Sequence, residues 1–157
     1  MQLAEHGYAA YEISNFARDG FRCRHNDSYW LYHDYIGIGA GASGKWDMAD
    51  GGICRYSNIR SPEQYITRAR TDGRAVHSDE VLDTAHAAAE AVWLGLRRTN
   101  GISLGNFAIR FGADIRSMFT SSLRPWLQTG YLELNEQQLC LTEKGQPLAD
   151  AIASAVL

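Results

Sequence analysis

Residues 25–30 read His25-Asn26-Asp27-Ser28-Tyr29-Trp30; they lie between Tyr11-Glu12-Ile13-Ser14-Asn15-Phe16-Ala17-Arg18 and Asp34-Tyr35-Ile36-Gly37-Ile38-Gly39-Ala40-Gly41. In this short motif an imidazole is followed by an amide, a phenol and an indole. An imidazole nitrogen can serve as an axial ligand of haem iron, and aromatic side chains offer walls for a flat macrocycle. The residues themselves therefore indicate a haem site with His25 as the iron ligand.

Each residue of the motif has a predicted role and a plainer alternative. Neutral His25 would donate one ring nitrogen to iron, while its other nitrogen needs an acceptor. Asn26 would orient the imidazole or bond a propionate. Trp30 would shield one porphyrin face, and Tyr29 would do the same while its hydroxyl meets a polar edge. The alternatives are a loop histidine bonded to backbone and two aromatic residues that simply pack beneath the loop.

The whole run from Tyr11 to Gly44 resembles the radical SAM family of oxygen-independent coproporphyrinogen III oxidases. Within that family it is most similar to the haem-chaperone branch, which carries His-Asn-x-x-Tyr-Trp. A moderate resemblance continues at Trp93–Gly101, and a weak one at the Leu-Thr-x-Lys-Gly pattern of residues 141–145. The resemblance therefore covers nearly the whole chain.

The resemblance implies a haem-binding chaperone that delivers haem to apo-haemoproteins, some of them membrane-associated. It also implies a [4Fe–4S] cluster and S-adenosylmethionine in the intact protein, and it allows a homodimer. The alternative is an oxygen-independent coproporphyrinogen III oxidase in porphyrin biosynthesis, which acts through a 5′-deoxyadenosyl radical. The His25 motif favours the chaperone. A third hypothesis, from another class, is an interaction domain that uses residues 79–157 alone.

Composition limits these functions. Apolar residues make up 45% of the 157 and charged residues 21%, as in ordinary globular proteins. The net charge of -3 disfavours nucleic-acid binding. No run approaches the roughly 18 apolar residues of a membrane span, and no secretory signal is visible, so a cytoplasmic location is expected.

The cysteines, Cys23, Cys54 and Cys140, are too far apart for the Cys triad that holds a radical SAM cluster. We therefore expect this chain to be the C-terminal part of a longer protein. Whether that protein is an enzyme stays open, and the chain alone is expected to be inactive as one.

Within the glycine-rich stretch Gly37–Lys45, residues Gly39–Lys45 have the spacing of a phosphate-binding loop, but Trp46 occupies the Ser/Thr position that would hold Mg²⁺. The resemblance implies instead that Gly37, Gly39 and Gly41 let the backbone approach an S-adenosylmethionine cavity. The alternative is a turn with positive φ angles.

Two carboxylates flank these motifs. Glu12 and Asp34 could form an acid/base pair, although structural roles are favoured because nothing in the sequence brings them together. His33 is a weaker second candidate for the iron ligand.

The predicted fold is α+β: residues 1–75 form the C-terminal part of a radical SAM α/β barrel with the haem-motif loop, and residues 76–157 form a helical, winged-helix-like domain. The predicted elements are a helix ending at Gly7, strands at 8–14 and 35–38, a loop at 15–34, helices at 62–70, 79–98, 104–111 and from 115, a hairpin at 131–141 and a last helix from 142. Ser78 and Asp114 are the predicted caps of the helices that follow them. DNA binding by the winged-helix-like part is disfavoured, because its second helix offers only Arg116 and Arg124.

Overall fold

The computed structural model describes residues 2–49 and 51–157. The chain divides into two compact units, one formed by Met1–Tyr32 with Ala88–Leu157 and the other by His33–Ala87. Helices and antiparallel strands occur in both, so the predicted α+β class is confirmed. The predicted domain boundary after residue 75 stays a prediction; in the structure, the strand that begins at Val76 pairs within the unit of residues 33–87.

The first unit contains the winged-helix-like arrangement. Its elements in chain order are α1 (Gln2–Glu5), β1 (Ala9–Ala10), β2 (Phe16–Ala17), α2 (Arg24–Trp30), most of α4 (Thr84–Gly95), β6 (Ile102–Ser103), α5 (Leu104–Phe111), α6 (Ile115–Gln128), β7 (Leu132–Leu134), β8 (Gln138–Leu141), a 3₁₀ turn (Gln146–Leu148) and α7 (Ala149–Ser154). The three-stranded sheet has the order β6-β8-β7. The two helices α5 and α6 and the hairpin β7–β8 follow one another as the sequence predicts, whereas the short strand β6 before them was not predicted.

The core of this unit forms where the apolar stripes of the helices meet the sheet. The buried side chains include Val92, Leu96, Phe107, Ile115, Phe119, Leu123, Leu139 and Ile152. Burial of one such side chain contributes about 1.5–3 kcal/mol. The predicted cap of α6 is confirmed, because the Asp114 side chain accepts from the Arg116 N–H; Ser103 caps α5 in the same way through the Asn106 N–H.

The segment that precedes α2 is attached to the segment that follows α4. The Ile13 N–H donates to the Arg97 carbonyl at 3.0 Å, and the Thr99 N–H donates to the Tyr11 carbonyl at 3.2 Å. The Thr99 hydroxyl adds a second bond to the Tyr11 carbonyl at 3.1 Å. Residues 11–13 are therefore held by long-range pairing, and only Ala9–Ala10 and Phe16–Ala17 form strands; the predicted strand over residues 8–14 is wrong in extent.

The second unit is an antiparallel sheet with one helix. Its strands are β3 (Ser43–Asp47), β4 (Ile53–Asn58) and β5 (Val76–Leu82), in the order β3-β4-β5. The helix α3 (Pro62–Asp72) connects β4 to β5; Ser61 caps it and Gly73 ends it with φ +71°. Its predicted position is confirmed, with two more residues at its end.

Three other predicted elements are wrong. The predicted helix over 79–98 begins as strand β5, because residues 76–82 find hydrogen-bond partners along β4. The helix then starts at Thr84, and Asp83 rather than Ser78 accepts its free N–H, from His86 at 2.8 Å. Residues 35–38 form no strand; Tyr35 makes a single bridge to Lys45. The last helix begins at Ala149 instead of Thr142, because Pro147 lies in a separate 3₁₀ turn.

No helix in the described part of the chain is long and apolar enough to span a bilayer.

The close approach of β8 to Gly101 gives a stability test. Gly101 has φ +60°, and a Cβ there would overlap the Leu139 carbonyl and lie 2.6 Å from the Cys140 Cβ; Gly112 has φ +68° and open space around it. Both Ala variants incur left-handed strain of about 1 kcal/mol, but Gly101→Ala should lose more than about 3 kcal/mol in the free energy of unfolding. Urea denaturation of the two variants measures this, and equal losses would contradict the packing described here.

Candidate functional site

The predicted haem motif lies on a helix, which corrects the predicted loop over residues 15–34. Helix α2 spans Arg24–Trp30, with Cys23 as its N-cap residue, and the Ser28 hydroxyl donates to the Arg24 carbonyl at 2.8 Å. This helix is hard to predict from sequence, because seven residues with no apolar stripe carry a weak helical pattern. Tertiary contacts at its end and along one face compensate for that weakness.

Tyr32 ends the helix in an unusual way. Its φ is +59°, in the left-handed region where helices usually place glycine. The side chain is only 3% exposed, and its hydroxyl donates to Glu90 Oε2 at 2.6 Å. The Arg110 guanidinium lies 5.0 Å from the ring centroid. These contacts compensate for the backbone strain, which costs on the order of 1–3 kcal/mol, and they fix the position of α2.

The helix divides the motif into two faces. Residues four apart lie on the same side of a helix, so His25 pairs with Tyr29, and Asn26 pairs with Trp30 about 100° further round. The His25 and Tyr29 rings meet edge to face with centroids 4.9 Å apart. Trp30 points the other way, toward Arg97. The predicted site residues are therefore neighbours in the sequence, but they lie on two different faces of α2.

The inner face attaches α2 to the end of α4. The Arg97 guanidinium lies 5.0 Å from the Trp30 ring centroid, and its Nη1 bonds Asp150 at 3.1 Å. Arg98 bonds Asp27 at 3.3 Å, with side chains 16% and 22% exposed respectively. Arg98 Nη1 also donates to the Gly101 carbonyl at 3.3 Å. One face of the indole is therefore occupied by a cation within the protein itself.

Two buried nitrogens on this face have no hydrogen-bond partner. Among the described residues, nothing accepts from Trp30 Nε1 or Arg97 Nε. The Trp30 indole and the Arg97 guanidinium therefore hold the two segments together through ring stacking and charge, and not through these two nitrogens.

The outer face is open to ligands. His25 and Arg24 are exposed, whereas Tyr29 is half-buried. The His25 ring makes no hydrogen bond within the part of the chain that the structure describes. The acceptor expected for its second nitrogen is therefore not found there, and the ring is supported by Tyr29 alone.

Sequence patterns alone do not identify Arg97 and Arg98 as parts of this site. The sequence predicts them only as favourable charges at the end of a helix. Their adjacency to α2 comes from the pairing of residues 11–13 with residues 97–99. A signal was nevertheless present, since both lie in the stretch Trp93–Gly101 that carries the family resemblance.

The glycines predicted for an S-adenosylmethionine cavity lie in the other unit. The Tyr56 hydroxyl accepts from the Gly37 N–H at 2.8 Å, and the Asn58 amide donates to the carbonyls of Gly37 and Gly39 at 3.1 and 3.0 Å. A Cβ on Gly37 would overlap the Ser43 backbone, and Gly39 and Gly41 have φ +105° and +72°. The packing of this unit accounts for the glycines, so their role toward S-adenosylmethionine stays a prediction.

The same unit argues against a phosphate-binding loop, as the sequence predicts. A strand, β3, follows the glycines where such a loop requires a helix. Lys45 is 2% exposed and its Nζ lies 3.2 Å from Asp34 Oδ1 and 3.6 Å from Asp47 Oδ1. This lysine is therefore engaged within the unit.

Glu12 and Asp34 both have local partners. Glu12 is 1% exposed, and its Oε1 accepts from the Ser14 N–H at 2.8 Å and from the Asn15 amide at 2.6 Å. Asp34 Oδ2 accepts from the Asp47 N–H at 3.2 Å, in addition to its pairing with Lys45. These contacts favour structural roles for both carboxylates.

The described residues contain no group of three or more His, Cys, Asp or Glu side chains arranged to hold a metal ion. Cys23 is exposed, and Cys54 and Cys140 are buried. These cysteines do not fit an iron–sulfur cluster site.

Comparisons with known proteins agree with the sequence resemblance. Residues 82–148 match the HemN C-terminal domain family. The chain is 32% identical to "Heme chaperone HemW" of Bacillus subtilis over 156 residues, which cover 99% of this chain and 40% of that protein. It is 33% identical to "Heme chaperone HemW" of Lactococcus lactis over 150 residues, which cover 96% of this chain and 38% of that protein.

A solved structure shows the same fold. Coproporphyrinogen III oxidase (HemN) from Escherichia coli, described as a radical SAM enzyme, superposes with a TM-score of 0.72 at 18% identity, over 99% of this chain and 38% of that one. The chain spans about two fifths of the length of these relatives. Together the matches confirm the resemblance that the sequence indicates: residues 82–148 match the HemN C-terminal domain, and nearly the whole chain is similar to proteins named heme chaperone HemW.

Substitutions on the two faces of α2 should differ in their effect on the free energy of unfolding. Trp30→Leu removes the ring that contacts Arg97, so the free energy of unfolding should fall by about 2 kcal/mol. His25→Ala changes an exposed side chain and should stay within about 0.5 kcal/mol of the parent. Urea denaturation followed by far-UV circular dichroism tests both, and a larger loss for His25→Ala would contradict the assignment of the faces.

The three thiols should also differ in reactivity. Burial raises the pKa of the Cys140 thiol, and Glu133 adds to the increase; burial and then Asp79 raise the pKa of Cys54. The thiolate is the reactive form, so only exposed Cys23 should react quickly with a thiol reagent in the native protein. We expect one fast equivalent, with the other two after denaturation. Rapid reaction in a native Cys23→Ser variant would disprove this.

Proposed function

We propose that this chain contributes the haem-binding element of a haem chaperone and passes haem to apo-haemoproteins. The observation that carries the proposal is the exposed His25 ring, supported at 4.9 Å by Tyr29 on a helix whose other face is fixed. The name "Heme chaperone HemW" that the curated relatives bear supports the same conclusion. Haem is the cargo in this proposal.

The placement of His25 suits delivery better than permanent storage. A neutral imidazole nitrogen ligates haem iron, and a single ligand on an exposed helix leaves the other iron face open. A client histidine can therefore approach the iron before the bond to His25 breaks. Tyr29 provides an apolar edge for the macrocycle. Trp30 lies on the other face and holds the helix against Arg97, so its predicted role toward haem, like that of Asn26, stays a prediction.

The wider context follows from the relatives and is part of the proposal. The intact protein would hold a [4Fe–4S] cluster with ligands outside this chain and would bind S-adenosylmethionine, with Gly37, Gly39 and Gly41 near that cavity. We place it in the cytoplasm, with apo-haemoprotein clients that include membrane-associated ones, and with a homodimer as its oligomeric form.

The alternative is a coproporphyrinogen III oxidase, the activity named for the solved structure of the same fold. The substrate of that reaction carries no iron, so an axial ligand has no task in it. An exposed histidine with an aromatic support is thus explained by the chaperone and left unexplained by the oxidase. The two functions differ in whether iron is needed for binding.

Titration with haem and with iron-free protoporphyrin tests the proposal. The full chain should bind haem saturably with a shifted Soret band, and His25→Ala should weaken haem binding at least about tenfold, because the iron loses its protein ligand. Protoporphyrin binding should change little in that variant. His33→Ala, which removes the other histidine beside the motif, serves as the matched control and should bind haem as the parent does.

Two results would contradict the proposed function. Equal haem affinity and an unchanged Soret band in His25→Ala would remove His25 from the site. Absence of saturable haem binding by the folded chain would overturn the proposal that this part of the protein captures haem.

A further inference from the structure

Three arginines, Arg18, Arg22 and Arg24, precede His25 closely in the chain, and all are exposed. Other arginines of the same unit have carboxylate partners: Arg97 with Asp150, Arg98 with Asp27 and Arg116 with Asp114. Within residues 2–49 and 51–157, neither Arg22 nor Arg24 contacts a carboxylate. The segment before His25 therefore carries net positive charge, with three arginines against the one carboxylate of Asp19.

The structure gives Arg22 a defined position. Its guanidinium lies 6.0 Å from the ring centroid of Tyr11, a side chain that is 4% exposed. The Tyr11 backbone is in turn bonded to Thr99. The Arg22 guanidinium is therefore held beside a fixed part of the unit.

Arg24 is placed by the helix itself. It is the first residue of α2 and lies one position before His25, on the outer side of the helix together with His25 and Ser28. The Cα atom of Arg22 lies within about 11 Å of that of His25, since three virtual bonds of 3.8 Å separate them. Both arginines therefore lie close to the ligand ring along the chain.

We propose that Arg22 and Arg24 bind the propionate groups of the haem whose iron His25 ligates. This inference rests on the proposed function. Both propionates extend from one rim of the macrocycle, away from the iron, so their partners should lie a short distance from the axial ligand. The planar guanidinium matches a carboxylate with two parallel N–H donors. The pair would fix the rotation of the porphyrin about the His25–iron bond and would select porphyrins with free propionates.

The exposure of both arginines sets the size of the effect. Exposed ion pairs contribute little and are weakened by salt. Loss of one arginine should weaken haem binding about two- to fivefold, and loss of both about tenfold. The contacts thus contribute more to orientation than to retention, which is consistent with a cargo that must leave.

The test uses the full chain and two ligands, ferric haem and its dimethyl ester, in which both propionate charges are absent. Arg22→Gln, Arg24→Gln and the double variant are compared with Arg124→Gln, a matched control at an exposed arginine of α6. The double variant should bind haem about tenfold more weakly and the ester as well as the parent does, with an unchanged Soret position because His25 remains. The salt dependence of haem binding should also decrease.

Two results would overturn the inference. One is an equal loss of affinity for haem and for the ester, which would mean that the arginines act on the fold. The other is no loss beyond that of Arg124→Gln. In both cases, haem binding by His25→Ala is measured in parallel and shows whether His25 ligates the iron. Failure of the propionate contacts is therefore distinguishable from failure of the proposed function.

Discussion

The contact between helix α2 and the two arginines after α4 is the interaction on which the candidate site depends. A helix of seven residues is not stable by itself in water. Here Arg98 pairs with Asp27 while both side chains are mostly shielded, and Arg97 lies over the Trp30 ring. Because removal of one partner leaves the other charge without compensation in a partly buried place, such a pair constrains position more than an exposed pair does.

This arrangement gives the two faces of one short motif different tasks. Trp30 and Asp27 are turned inward and hold the helix, which leaves His25, with Tyr29 behind it, turned outward. The proposed delivery of haem needs a ligand that is held in place and yet can be exchanged. A fixed helix with an exposed imidazole satisfies both needs, since the rigidity lies in the backbone and the exchange takes place at the side chain.

The glycine-rich stretch has a spacing that fits a ligand-binding loop, but its glycines are also explained by local packing. Its spacing resembles a phosphate loop, but Gly37 is required because a side chain would overlap the Ser43 backbone. The Tyr56 hydroxyl and the Asn58 amide form hydrogen bonds with the N–H and carbonyl groups of the Gly37 backbone. Local packing therefore explains the composition without a ligand, and only binding experiments can add a second role.

The sequence by itself determined the elements whose signals are local: the Asp114 cap of α6, the positions of α3 and α5, and the β7–β8 hairpin. These follow from side chains that bond their own neighbouring backbone. Tertiary structure alone decided that residues 76–82 form a strand, that residues 24–30 form a helix, and which face of that helix is open. Each of those outcomes depends on a partner far along the chain, β4 for β5 and Arg97–Arg98 for α2, and such long-range contacts outweigh the weak intrinsic preferences of short segments.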